Sequence, residues 1–240
     1  MAYQSPPTTP MVASSQDFTG VEMVDLYVGP AKTRFHVHKA ILCSKIPYFD
    51  KMFKSGGFIE ASKNTAIFSE DSPQFFHILI EWVYSGSLGS MNSSDPAVNT
   101  NLLSTIAFYR LLDKLCLPQL MDITMDMFRR HQWENRFVMR VSNILLSYQR
   151  LPEGSPYRRY ALHSFLFAFY MQREPERDIW TTTLMKDAVV ENADLAQDFF
   201  TLLRDQVNVR APINPDVVDN CLFHCHKLDE ECPLRGKKEA

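Results

Sequence analysis

From Met23 to Val28 the chain alternates, with Val24, Leu26 and Val28 on one side and Met23, Asp25 and Tyr27 on the other. A period of two predicts a strand with one buried face. Gly29-Pro30 supplies a turn, and a second strand over about Thr33 to Val37 is expected to pair back as a hairpin. The period then changes within the segment FHVHKAILCSKIPYFDKMF, Phe35 to Phe53. Ile41, Leu42, Phe49, Met52 and Phe53 recur at helical spacing, which predicts two short buried helices. A third short strand is expected at Thr65 to Phe68.

The next helix is bounded by strong local signals. Ser72 can cap it, Pro73 suits its first position, and Gly86 can end it in a left-handed conformation. Phe75, Ile78, Leu79, Trp82 and Val83 form one stripe, and Phe76, Ile80 and Tyr84 widen it, so the helix is expected to be central and buried on most sides. A polar loop over Gly89 to Asn99 follows. Two more helices carry Leu102, Leu103, Ile106, Leu111, Leu112 and Leu115, then Leu120, Met121, Met125 and Phe128, with Pro118 between them. Beyond His131 the pattern is helical, at about Phe137–Gln149, Tyr157–Gln172, Ile179–Val190 and Asp194–Val207, interrupted by Pro152 to Pro156. The expected organisation is a leader at 1–19, an α+β domain at 20–131, a helical region at 132–210 and a Cys/His-containing tail at 211–240.

Composition narrows the function. A 240-residue chain that is 45% hydrophobic with 8 Gly can bury a substantial core, whereas residues 1–19, rich in Pro, Ser and Thr, are expected to be disordered. A net charge of -3, with only isolated Arg pairs at 129–130 and 158–159, lacks the concentrated basic surface of a nucleic-acid binder. No basic start and apolar stretch suggests export, and the longest apolar run, Phe165 to Met171, is far short of the ~18 residues a membrane helix needs. Five cysteines without a secretory signal point to free thiols and a cytoplasmic or nuclear setting.

Candidate chemistry is sparse. No nucleophile elbow, zinc-protease, P-loop or dinucleotide motif occurs, so no catalytic residue and no enzyme activity is expected. Glu174, Glu176 and Asp178 read as a solvated loop. His36 and His38 stand two apart on an extended segment, a spacing open to metal, but a structural role at the strand–helix junction is favoured. Cys43 reads as a small core residue. In the tail, Cys221, His224, His226 and Cys232 follow C-x-x-H-x-H-x5-C, with Cys225 as a fifth candidate. Two thiolates and two imidazoles could form a tetrahedral structural zinc shell. The spacing fits no standard finger, and a capping segment held by ordinary packing is the reading the spacing favours.

Six segments, in order, resemble the BTB/POZ family: Asp25 in the first strand; Phe35 to Phe53 with His38-Lys39; Gly57-Phe58 with Glu60; Glu70-Asp71-Ser72-Pro73; Trp82, Tyr84 and Gly86; and Tyr109, Asp113, Lys114, Leu117, Pro118 and Leu120. Gly154, Ser155, Pro156, Arg158 and Arg159, with the tail, resemble fungal members. Three positions differ from the usual pattern: Ile46 stands where a helix-capping Ser is common, Leu112 replaces Ala and Phe68 replaces Leu. The resemblance implies a BTB/POZ fold, a small sheet flanked by helices, followed by an all-α region. It implies structural roles for Asp25, His38, Lys39, Asp113 and Pro118, and a dimer surface near Val24, Leu26, Ile41, Leu42, Tyr48 and Phe49. It also implies a protein-interaction function without cofactor, whose partners are a second copy, another BTB protein or a cullin scaffold; ubiquitin-ligase adaptor and transcriptional regulator are the alternative readings.

Overall fold

The computed structural model describes residues 22–54, 58–89, 102–171, 180–205 and 212–235, with backbone alone at 102–104. The leader at 1–19, most of the 89–99 loop and the acidic loop around Glu174 lie outside them. The chain divides into two compact units, one running to Phe76 and including Ile80–Gly86, the other comprising His77–Leu79 and everything from Ser87.

In the first unit, β1 (Met23–Val28) is the central strand, antiparallel to β2 (Thr33–His38) and parallel to β3 (Thr65–Phe68). Alternation works as expected: Val24, Leu26, Val28, Val37, Ala66 and Phe68 are buried on one face. Helices α1 (Lys39–Lys45) and α2 (Pro47–Phe53) add Leu42, Ile46, Phe49 and Phe53 to that core. Phe49 lies 5.8 Å from Phe68, whose ring is 4.9 Å from Phe76, giving a chain of edge-on and tilted aromatic contacts. Ile46 sits at the N-cap of α2 and makes no side-chain cap bond, but it is fully buried. Burying an Ile stabilises by about 1.5–3 kcal/mol, which offsets the ~1 kcal/mol a capping Ser contributes. Gly29 takes the left-handed region (φ 75°), and a Cβ there would also crowd the Pro73 ring at 3.1 Å.

The short helix α3 (Ile59–Lys63) was not legible in the periodicity, being one turn long and closed by Asn64 in the left-handed region (φ 48°). Helix α4 (Pro73–Ser85) has the expected ends: Pro73 leads it and Gly86 at φ 75° donates its amide to Trp82 O. Ser72, however, makes no side-chain cap bond; its backbone carbonyl accepts from Phe75 and Phe76 instead. The buried stripe is Phe76, Ile78, Leu79 and Val83, while Phe75, Ile80 and Trp82 are half-buried and Tyr84 is exposed. The helix is thus amphipathic, rather than buried on most sides.

The second unit is helical: α5 (Leu102–Lys114), α6 (Pro118–Glu134), α7 (Val141–Arg150), α8 (Pro156–Met171), α9 (Thr182–Glu191) and α10 (Ala193–Asp205). Both α5 and α6 end in Schellman motifs. Leu117 N bonds Leu112 O around a left-handed Cys116 (φ 55°), and Phe137 N bonds Gln132 O around a left-handed Arg136 (φ 54°). The second motif holds residues 136–140 out of helix, so α7 begins four residues later than its apolar pattern predicts. Among the described residues no helix is long and apolar enough to cross a membrane.

Over its described residues, 212–235, the tail is irregular except for a 3-10 turn at Asn220–Phe223, yet it is firmly fastened to α6 and α8. Arg129 of α6, 1% exposed, donates to Pro215 O (3.0 Å), Val218 O (2.7 Å) and Asn220 Oδ1 (2.7 Å). Its guanidinium also lies 4.9 Å from the centre of the buried Phe223 ring. Tyr160 of α8 donates to Asp216 (2.6 Å), Arg159 to His224 O (3.1 Å), and Asp122 of α6 accepts the Cys225 amide (2.7 Å). Irregular backbone can be buried only if its polar groups are paired, and these side chains pair them. Replacing Arg129 by Met strands three acceptors at once, so urea unfolding of Arg129→Met should show a loss of about 3 kcal/mol or more. Arg129→Lys, which keeps charge but not the planar fork, should recover only part of it. A Met variant as stable as the parent chain would show that this anchor is dispensable.

Candidate functional site

The structure separates the predicted interface residues into two groups. Val24, Leu26, Leu42 and Phe49 are at most 1% exposed and lie in the first unit's own core. In β1, alternation puts Val24, Leu26 and Val28 on the buried face and Met23, Asp25 and Tyr27 on the other. Ile41 is exposed and Tyr48 half-buried, and these two remain at the surface. Phe58, Ile59 and Ile67, which the pattern had not singled out as surface residues, are each more than 60% exposed.

The motif residues of this unit are held by polar contacts. Asp25 accepts a two-point contact from Arg34 (2.8 and 3.0 Å) and lies 2.7 Å from His36 Nδ1 on the outer sheet face. The Arg34 guanidinium, then His36, holds the Asp25 carboxyl below its ordinary range. His38 Nδ1 pairs with Tyr84 Oη at 2.7 Å, and the His38 amide donates to the same oxygen. Lys39 reaches Glu22 (3.0 Å) and Asn64 (3.1 Å). His36 and His38 therefore have separate partners and share no site. Cys43 is half-buried, and burial followed by Asp50 pushes its thiol up, away from reactivity. In the second unit, Asp113 is exposed near the end of α5, its carbonyl accepting from Cys116 N, and Pro118 opens α6.

The tail brings together what the sequence spaced apart. One donor atom from each of Cys221, His224, His226 and Cys232 lies within 4.8 Å of the other three, and among the described residues this is the cluster able to hold a metal. Cys225 is not part of it. Cys221 sits in the 3-10 turn, whose start is fixed by Asp219: its carboxylate accepts the Cys221 amide at 2.9 Å and pairs with Arg235. Those two contacts hold the Asp219 carboxyl at about 2. His224, 2% exposed, presents Nε2 to Asp126 Oδ1 of α6 at 2.9 Å and Nδ1 to Cys232 Sγ at 3.6 Å. His226 engages Lys227 O through Nδ1 at 2.7 Å, and its Nε2 is buried without a close hydrogen bond, the Cys232 side chain being the ring's other polar neighbour.

Burial resists charge on the Cys232 thiol, but the Leu234 amide, His224 and the Arg235 amide outweigh it and lower its pKa. Burial, then Cys232 and Asp219, pushes Cys221 the other way. Burial likewise opposes protonation of His224, but Asp126 and Cys232 prevail and raise it. The arrangement offers soft donors to a cation. Missed in the sequence were Asp122, Asp126 and Arg129. Their spacing of four and three residues puts a polar stripe along one side of α6, and that interruption of an apolar helix is the signal that could have found them.

The BTB/POZ domain family model matches residues 16–132. No curated protein matches the chain. The fungal subgroup inferred from Gly154 to Arg159 and the tail is not borne out. The matched span includes the three-stranded sheet, α1 to α4 and the Pro118-led α6, the same segments that carry the sequence motifs. Over residues 16–132 this chain is a BTB/POZ domain, an α+β module of a protein-interaction family.

Proposed function

We propose that the chain is a non-catalytic docking module that pairs with a second copy, or with another BTB/POZ domain, through the α1–α2 surface of its first unit. The observation that carries this reading is that Ile41 is exposed and Tyr48 half-buried within a unit of an interaction-domain family. An interface of about 800 Å² per partner is the size that holds stable pairs, driven by apolar burial at ~25 cal/mol per Å² and opposed by lost freedom. Sedimentation of the full chain at tens of micromolar should give the dimer mass. Ile41→Asp should weaken pairing at least tenfold, whereas Ile67→Asp, on the outer sheet face, should leave it intact. A monomer throughout would contradict the reading.

A second contact is favoured by Phe58 and Ile59, exposed at the start of α3. In the ubiquitin-ligase adaptor reading they supply apolar surface for a cullin scaffold. Affinity capture of the chain from its own cells should then recover a cullin, and Phe58→Asp should abolish recovery while the dimer mass persists. Transcriptional regulation through direct DNA contact has little support, because the net charge is -3 and no basic surface is concentrated.

A further inference from the structure

We infer that Cys221, His224, His226 and Cys232 bind one zinc ion, a closed structural site that locks the tail onto helix α6. Four observations converge on it.

The first is distance. A tetrahedral ion with bonds of about 2.0–2.3 Å holds its donors about 3.3–3.8 Å apart. His224 Nδ1 and Cys232 Sγ are already at 3.6 Å, and no pair in the set exceeds 4.8 Å. Closing the shell requires side-chain adjustments of about an ångström, not refolding. The second is the state of the two imidazoles. A ligating histidine donates its other ring N–H to a carboxylate or carbonyl, which fixes the tautomer and turns the lone pair to the metal. His224 meets Asp126 through Nε2, leaving Nδ1; His226 meets Lys227 O through Nδ1, leaving Nε2.

The third is an unpaid polar atom. His226 Nε2 is buried and makes no close hydrogen bond, the ring's further partner being the Cys232 side chain of the same cluster, and a metal bond satisfies it. The fourth is composition. Two sulfurs and two imidazole nitrogens in a small volume suit zinc, and four protein ligands leave no open position for water or substrate. Folding of residues 220–235, which have little apolar material besides Phe223, then gains from metal binding directly. The odd spacing that resembles no standard finger is explained by the support: two donors flank a turn, and helix α6 supplies the second layer through Asp126.

The test is made on the full chain purified without chelator. Elemental analysis should find about one zinc per chain. Cobalt substitution should give the intense visible absorption of a tetrahedral ion together with sulfur-to-cobalt charge transfer. Cys221→Ser with Cys232→Ser should lower the bound metal at least tenfold, whereas Cys225→Ser and Cys116→Ser should retain it. If the double variant does not fold, the zinc content and cobalt spectrum of the parent chain decide. Less than half an equivalent of zinc overturns the inference, as does a Cys221–Cys232 disulfide in the fresh protein or a cobalt spectrum without sulfur charge transfer.

Discussion

A guanidinium enclosed in a helical bundle must find acceptors there, because water cannot reach it and an unpaired buried cation is among the costliest groups a fold can contain. Arg129 meets that demand with the carbonyls of Pro215 and Val218 and the side chain of Asn220. Burial lowers its pKa, opposed chiefly by Asp126. A segment with little apolar content thereby becomes part of the interior, Phe223 enters between Tyr160 and His163, and the next residue, His224, arrives beside Asp126. The Cys/His cluster is a consequence of this one anchored cation and the two aspartates on the same side of α6.

The first unit works on a different principle. Its core is apolar and aromatic, and its surface carries the His38–Tyr84 hydrogen bond and two ion pairs, Asp25 with Arg34 and Lys39 with Glu22. Exposed ion pairs of this kind contribute roughly 0–1 kcal/mol each. They shape the surface more than they hold the fold. A unit stabilised from within can leave Ile41, Phe58 and Ile59 exposed without endangering itself, which is the condition a docking surface requires.

How much could be read in advance follows from the range of each interaction. The β1–β2 hairpin, β3, α1, α2, α4 and the helices of the second unit rest on alternation, 3.6-residue periodicity and Gly or Pro punctuation, all local signals. What failed depends on non-local choice. Val24 and Phe49 read equally well as interface or core until the sheet has a second layer. The late start of α7 depends on Arg136 adopting the left-handed region, a role usually taken by glycine. The pairing of His38 with Tyr84 spans 46 residues, and that of His224 with Asp126 spans 98. The four tail donors were visible as a set, but their convergence was not, because α6 and α8 bring them together.

The account turns on the tail being interior structure of the second unit. Hydrogen exchange on the full chain tests this most directly, since the Cys225 amide is bound to Asp122 and the Leu222 and His224 amides lie inside the turn. Residues 221–225 should be protected to the same degree as the middle of α6. Rapid exchange of those amides while α6 stays protected would mean that the tail is a detachable strap, and that the anchored arrangement described for it does not hold in solution.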